Sequence, residues 1–207
     1  MQSSVKKFKT EHHLFILPSG NVINKNSEGI EEEKYLSSLS ALLGASYNVT
    51  FIQYPKRRTV LYSSAYFKRK AAVNLAQAID NAREKNVVLL GISAGADVVM
   101  KYLAGNNKKK ISKAICAGLF TGAKRKVRTN CGKLIFLYGE EDLIGIKSVD
   151  KIVVLKPANY ARGCIENISA SQSTNITYKI IAGCSHTLLS EKRKNPALIL
   201  KKFIFCE

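Results

Sequence analysis

Asn86-Val87-Val88-Leu89-Leu90-Gly91-Ile92-Ser93-Ala94-Gly95 decides how this chain folds. The apolar, β-branched run Val87 to Leu90 has the length and composition of a buried strand, and Ala96 to Leu103, directly after Gly95, is helix-compatible. Strand, sharp turn and helix follow one another with no spacer, and a serine stands at the apex. Such a turn holds its serine in strained backbone, so small residues must flank it; Gly91 and Gly95 do. The turn lifts the Ser93 hydroxyl above the sheet edge. It also places the N–H of Ala94 at a helix N-terminus, where developing negative charge is stabilised.

Working outward, His13 to Leu17 reads as a short buried strand, broken by Pro18-Ser19-Gly20-Asn21, which opens a polar loop. Helical periodicity begins near Glu28 and puts Tyr35, Leu36, Leu39, Leu42 and Leu43 on one face. Glu28 and Glu31 to Glu33 fall in or near its first turn, where acids suit the helix dipole, and Gly44 is a natural stop. Asn48 to Tyr54 is a second strand. Phe67 to Lys85 is a second helix, with Ala72, Leu75, Ala76, Ile79 and Ala82 on its apolar face. After the central turn come strands at Ile111 to Ala117, Lys133 to Tyr138 and Thr177 to Ala182. A helix is expected somewhere in Ala158 to Ile168, and a closing one at Pro196 to Phe205, started by Pro196. About six strands alternate with helices. That predicts one three-layer α/β domain over residues 1–207, with a mainly parallel sheet.

Composition narrows the function classes. The 207 residues carry 33 Lys+Arg against 15 Asp+Glu, a net charge of +18. The excess is scattered over Lys68 to Lys70, Lys108 to Lys110, Lys124 to Arg128 and Lys192 to Lys194, so it reads as a lysine-rich solvated surface and not as a specific nucleic-acid site. Weak contact with anionic surfaces, screened at physiological salt, is what such a field implies. Cys116, Cys131, Cys164, Cys184 and Cys206 are odd in number and form no Cys-x-x-Cys pair, which argues against a disulfide framework. His12, His13 and His186 have no zinc spacing, so no metal is expected. The apolar run after Lys6, Lys7 and Lys9 is too short for a signal peptide. A cytoplasmic setting is the expectation.

In a parallel sheet, working groups gather in the loops beyond the carboxyl ends of the strands. One such loop carries Ser93. A second, after Lys133 to Tyr138, reads Gly139-Glu140-Glu141-Asp142; a third, after Thr177 to Ala182, reads Gly183-Cys184-Ser185-His186. A serine becomes a nucleophile when a neutral imidazole takes its proton, and the imidazole needs a carboxylate to fix its tautomer. Serine, acid and histidine occur at strand ends in that order. Glu140, Glu141 and Asp150 are rival acids to Asp142. Asp97, in the first turn after Ser93, is read as a dipole partner.

With these residues in view, the chain resembles the α/β-hydrolase family over essentially its whole length. Gly91-Ile92-Ser93-Ala94-Gly95 matches the family's nucleophile elbow. Tyr138-Gly139-Glu140-Glu141-Asp142 is similar to its acid loop, with Tyr138 in place of the common His, and Gly183-Cys184-Ser185-His186 is similar to its base loop. The resemblance implies a triad of Ser93, Asp142 and His186. It also implies an oxyanion site formed by the N–H of Ala94 together with Gly20 or Asn21, although Ser19-Gly20 stands where the family often has His-Gly. The link from Thr121 to Asn130 is too short for a large cap. The implied activity is that of a cofactor-free serine hydrolase acting on a small acyl ester or thioester. An acyltransferase using the same triad, and a non-catalytic binding protein on the same fold, are the alternatives.

Overall fold

The computed structural model describes residues 10–44, 46–55, 64–107, 109–119, 125–127, 130–142, 145–147, 152–154, 157–159, 161–162, 168–169, 175–189 and 195–205. In chain order the elements are β1 (His12–Leu17), α1 (Gly20–Asn24), α2 (Ser27–Leu43), β2 (Asn48–Phe51), α3 (Ser64–Asn81), β3 (Asn86–Ile92), α4 (Ala94–Leu103) and β4 (Ile111–Ala117). They continue with β5 (Arg125–Lys126), β6 (Cys131–Gly139), β7 (Gly145–Lys147), β8 (Ile152–Val154), β9 (Ile168–Ser169), β10 (Asn175–Ile181) and α5 (Pro196–Phe205).

Six strands form one sheet in the order β10-β6-β4-β3-β1-β2, and every pairing in it is parallel. The chain runs from β1 outward to β2, returns to β3 on the other side of β1, and then proceeds stepwise to β10. The strand order therefore reverses beside β1, and Ser93 at the end of β3 lies next to that switch point, where ligands collect in open α/β sheets. β5 and β9 form a short parallel pair, and β7 and β8 an antiparallel one. β5 lies in the link from Thr121 to Asn130, and β7, β8 and β9 lie between β6 and β10, where the sequence pattern predicted only a helix within Ala158 to Ile168; residues 157–159 and 161–162 are helical there.

Two apolar layers sandwich the sheet, as expected for a parallel sheet covered on both faces. On one face Leu75 and Ile79 of α3 and Val98, Val99 and Leu103 of α4 pack on Phe15, Leu89, Cys116 and Phe136. On the other, Leu36, Leu39 and Leu43 of α2 and Leu200 and Ile204 of α5 pack on Leu14, Ile16, Leu90, Ile115 and Leu137. Leu42, predicted to share the buried stripe of α2, is exposed; it lies at the margin of that stripe.

Helix α3 ends at Asn81, before the predicted Lys85, and residues 82–84 leave it. That early exit brings Glu84 to β1. Its carboxylate takes the Nδ1–H of His13 at 2.9 Å and an N–H of the Asn48 amide. The His13 ring stacks on Phe15, and its Nε2 meets Thr50 Oγ1 at 2.8 Å. β1 begins at His12, one residue before the predicted start at His13. Burial pushes the Glu84 pKa up, but the hydrogen bonds from His13 and Asn48 outweigh it and bring it down to about 2. A depressed acid stabilises the fold above its unfolded value, and this contribution fades as pH falls through the folded value. Melting temperatures of the wild type and Glu84→Gln, followed by circular dichroism, should differ at pH 7 and converge as pH drops from about 4.5 toward 2. Parallel curves would show that Glu84 is not held in this way.

Candidate active site

The turn after β3 is as tight as its sequence demands. Ser93 has φ 50° and ψ −110°, a conformation that costs a non-glycine residue of order 1–3 kcal/mol. A Cβ on Gly95 would lie 2.0 Å from the Leu17 carbonyl oxygen, and one on Gly91 would lie 2.6 Å from the Ala96 nitrogen. No side chain fits at either position, so the glycines are needed because β1, the turn and α4 approach backbone to backbone.

His186 Nε2 lies 2.9 Å from Ser93 Oγ, and His186 Nδ1 lies 2.9 Å from Asp142 Oδ2. With the carboxylate accepting from Nδ1–H, Nε2 carries the lone pair that faces the serine hydroxyl. Asp142 is buried, with a side chain 2% exposed, whereas His186 is 28% exposed. The acid is shielded and the base can be reached from solvent.

The acid and base loops hold each other. Glu140 N–H donates to the Ile181 carbonyl and Glu141 N–H to the Cys184 carbonyl, while the Glu140 carboxylate accepts from Gly183 N–H at 3.0 Å. These ties explain why the rival acids do not meet the imidazole: Glu140 is spent on the base loop, and Glu141 points to solvent. Asp150 lies outside the described residues. The Tyr35 hydroxyl donates to the Thr187 carbonyl at 3.0 Å, which anchors the base loop to α2. Tyr138, fully buried, donates to the Leu119 carbonyl.

Gly118, not singled out from the sequence, sits at the end of β4 with φ +58°. A Cβ there would lie 2.6 Å from the His186 carbonyl oxygen and 2.9 Å from its ring. Only a glycine lets the imidazole come down onto the serine. Asp97 pairs with Lys68 of α3 and does not enter the serine–histidine–aspartate line.

Ala94 begins α4 and Gly20 begins α1, so their N–H groups have no acceptor within their own helices. A Cβ on Gly20 would be 3.9 Å from the Ala94 Cβ, which places the two residues side by side. Asn21, the other candidate donor, gives its N–H to Ser19 Oγ at 3.1 Å as part of the α1 cap. A cleft of about 700 Å³ opens between Val22, Ile23, Leu36, Phe51 and Tyr54. None of Ser93, Asp142 and His186 lines it.

No protein-family model and no curated protein matches this sequence. Solved structures do match it. An esterase from Exiguobacterium antarcticum superposes with a TM-score of 0.63 at 13% identity, over 95% of this chain and 93% of that one. An alpha-beta serine hydrolase homologue from Coxiella burnetii gives 0.61 at 12% identity, over 96% and 86%. Alpha/beta hydrolase domain-containing protein 10 from mouse gives 0.59 at 13% identity, over 96% and 89%. Together with the six-stranded parallel sheet, these likenesses show that the chain has the α/β-hydrolase fold in a minimal form. No helix among the described residues is long and apolar enough to cross a membrane.

Proposed function

We propose that this protein is a serine hydrolase that cleaves a carboxylic ester or thioester through an acyl-enzyme. The observation that carries the reading is the unbroken line from Ser93 Oγ through His186 to the buried Asp142, with both contacts at 2.9 Å.

In this reading Ser93 Oγ attacks the acyl carbonyl as His186 Nε2 takes its proton. Asp142 keeps the other ring proton on Nδ1 and stabilises the imidazolium. The tetrahedral oxyanion is received by the N–H groups of Ala94 and Gly20; Gly20 is preferred over Asn21 because the cap already occupies the Asn21 N–H. Collapse of the intermediate expels an alkoxide or thiolate, which takes the proton from Nε2. Water, deprotonated by the same nitrogen, then attacks the acyl-serine, releases the acid and restores Ser93.

A fluorophosphonate should label the wild-type protein once. Esters and thioesters of graded acyl length should protect against labelling in the order in which they are hydrolysed. Product analysis in the presence of an added alcohol separates release of free acid from acyl transfer. A protein that binds such esters without turning any over would be a binding protein on this fold, and the reading would fail.

A further inference from the structure

Glu32 is 0% exposed, an unusual place for a carboxylate. It lies on the buried stripe of α2 beside Tyr35, Leu36 and Leu39. Both of its oxygens are engaged by one residue: Ser19 N–H donates to Oε1 at 2.7 Å, and the Ser19 hydroxyl donates to Oε2 at 2.5 Å. Ser19 Oγ in turn accepts Asn21 N–H at 3.1 Å. The ring from Ser19 Oγ to Asn21 N encloses the peptide that carries the Gly20 N–H. Glu32 therefore fixes Ser19 from one side, and the cap fixes the Gly20 peptide from the other.

Such a carboxylate is not there to stabilise the fold. Burial pushes its pKa up, and the Ser19 bonds and the nearby His186 only partly offset that. For a raised acid the favourable contribution is present below the unfolded value and is lost as pH rises through the folded one. In its ionised form Glu32 thus weighs against stability. The titratable groups that feel it are His186 from the base loop, Glu28 and Tyr35 from α2, and Tyr54 after β2. A group kept against the interest of stability is a sign of function.

We propose that Glu32 is a positioning residue for the oxyanion site: by accepting both Ser19 donors, it holds the Gly20 N–H in line with that of Ala94. The proposal rests on the serine hydrolase reading. Hydrogen-bond polarity makes it specific. The Ser19 N–H can only donate, and the Ser19 hydroxyl, which already accepts the Asn21 N–H, donates to Oε2, so two accepting oxygens fit this pair. Glutamine keeps the volume and one accepting oxygen but brings an N–H₂ to the hydroxyl, which reverses that bond and takes Oε2 from the hydroxyl proton, whereas Ser19→Ala removes the hydroxyl contact and the cap on Asn21 and leaves only the backbone N–H on Glu32.

The test measures kcat and KM for p-nitrophenyl acetate, and the rate of fluorophosphonate labelling at Ser93. It compares wild type, Glu32→Gln, Ser19→Ala, the double variant, and Glu31→Gln as an exposed control. Glu32→Gln should lower kcat about 10- to 100-fold, part of what a lost oxyanion donor costs. KM should stay within about 3-fold, because ground-state binding is untouched. Labelling should slow in parallel, and the double variant should be no worse than the weaker single one. Wild-type kcat in Glu32→Gln, or losses that multiply in the double variant, would overturn the proposal while wild-type turnover upholds the hydrolase reading. Should Glu32→Gln fail to fold, Ser19→Ala decides alone, by a kcat loss with KM held or by none. A wild type that neither hydrolyses the ester nor labels at Ser93 fails the hydrolase reading and takes this proposal with it.

Discussion

Replacing Ser93 with alanine is expected to lower turnover of an activated ester by roughly 10⁴- to 10⁶-fold and to leave the fold in place. The rate falls so far because no other group of the site can form the acyl intermediate; only binding and oxyanion stabilisation would remain. The fold should survive because the change removes one oxygen. The strained φ of 50° is set by the packing of β3, α4 and Leu17, and alanine can occupy it as serine does. The partner left behind, His186 Nε2, belongs to a side chain 28% exposed, so water can satisfy it. Steady-state kinetics with circular dichroism check both halves. Mass spectrometry of the fluorophosphonate adduct should place it on the peptide that holds Ser93; an adduct on another serine would remove Ser93 from the mechanism.

Asp142→Asn should cost roughly 10⁴-fold in kcat, with Glu140→Gln and Glu141→Gln within a few-fold of wild type. An asparagine amide can offer Nδ1 a donor where the carboxylate offered an acceptor. That favours the tautomer with its proton on Nε2, pointing at Ser93, where it cannot take the serine proton. It also removes the charge that stabilises the imidazolium, and Asp142, only 2% exposed, leaves little room for water to substitute. Glu140 contributes through Gly183, 3.0 Å away, a contact that glutamine's carbonyl oxygen can keep. Glu141 is exposed and makes its structural bond through the backbone. Should Glu141→Gln or Asp150→Asn prove the worst of the set, the acid lies elsewhere.

The buried acid on α2 marks where the sequence was misread. Glu31, Glu32 and Glu33 look alike as first-turn acids that complement a helix dipole. Helix α2 starts at Ser27, so Glu32 is already in its second turn. The signal that separates it was present: Glu32 stands three residues before Tyr35 and four before Leu36, on the stripe that goes inward. A charge on an apolar stripe is a question to put to a sequence, and hydropathy alone does not answer it. Gly118 carried no comparable signal, because its constraint comes from a histidine 68 residues further on.

Local chemistry determined most of the architecture. Val87 to Leu90, Ile111 to Ala117 and Lys133 to Tyr138 are apolar enough to be strands covered on both faces. The glycines around Ser93 fix the turn, because a clash between neighbouring segments depends only on the residues that meet there. A parallel sheet with its working loops at one edge follows from that alternation alone. The tertiary structure decided which of several equivalent groups meet. Asp142 and not Glu140 or Glu141 reaches His186, 44 residues away. The Asn21 N–H goes to a cap while that of Gly20 stands beside Ala94. Glu32 reaches across 13 residues to hold Ser19. In each case the competitors share the same chemistry and nearly the same place in the chain. They are separated by direction and by a few ångströms, quantities that exist only once β1, β3, β6 and β10 lie side by side and α2 is packed against them.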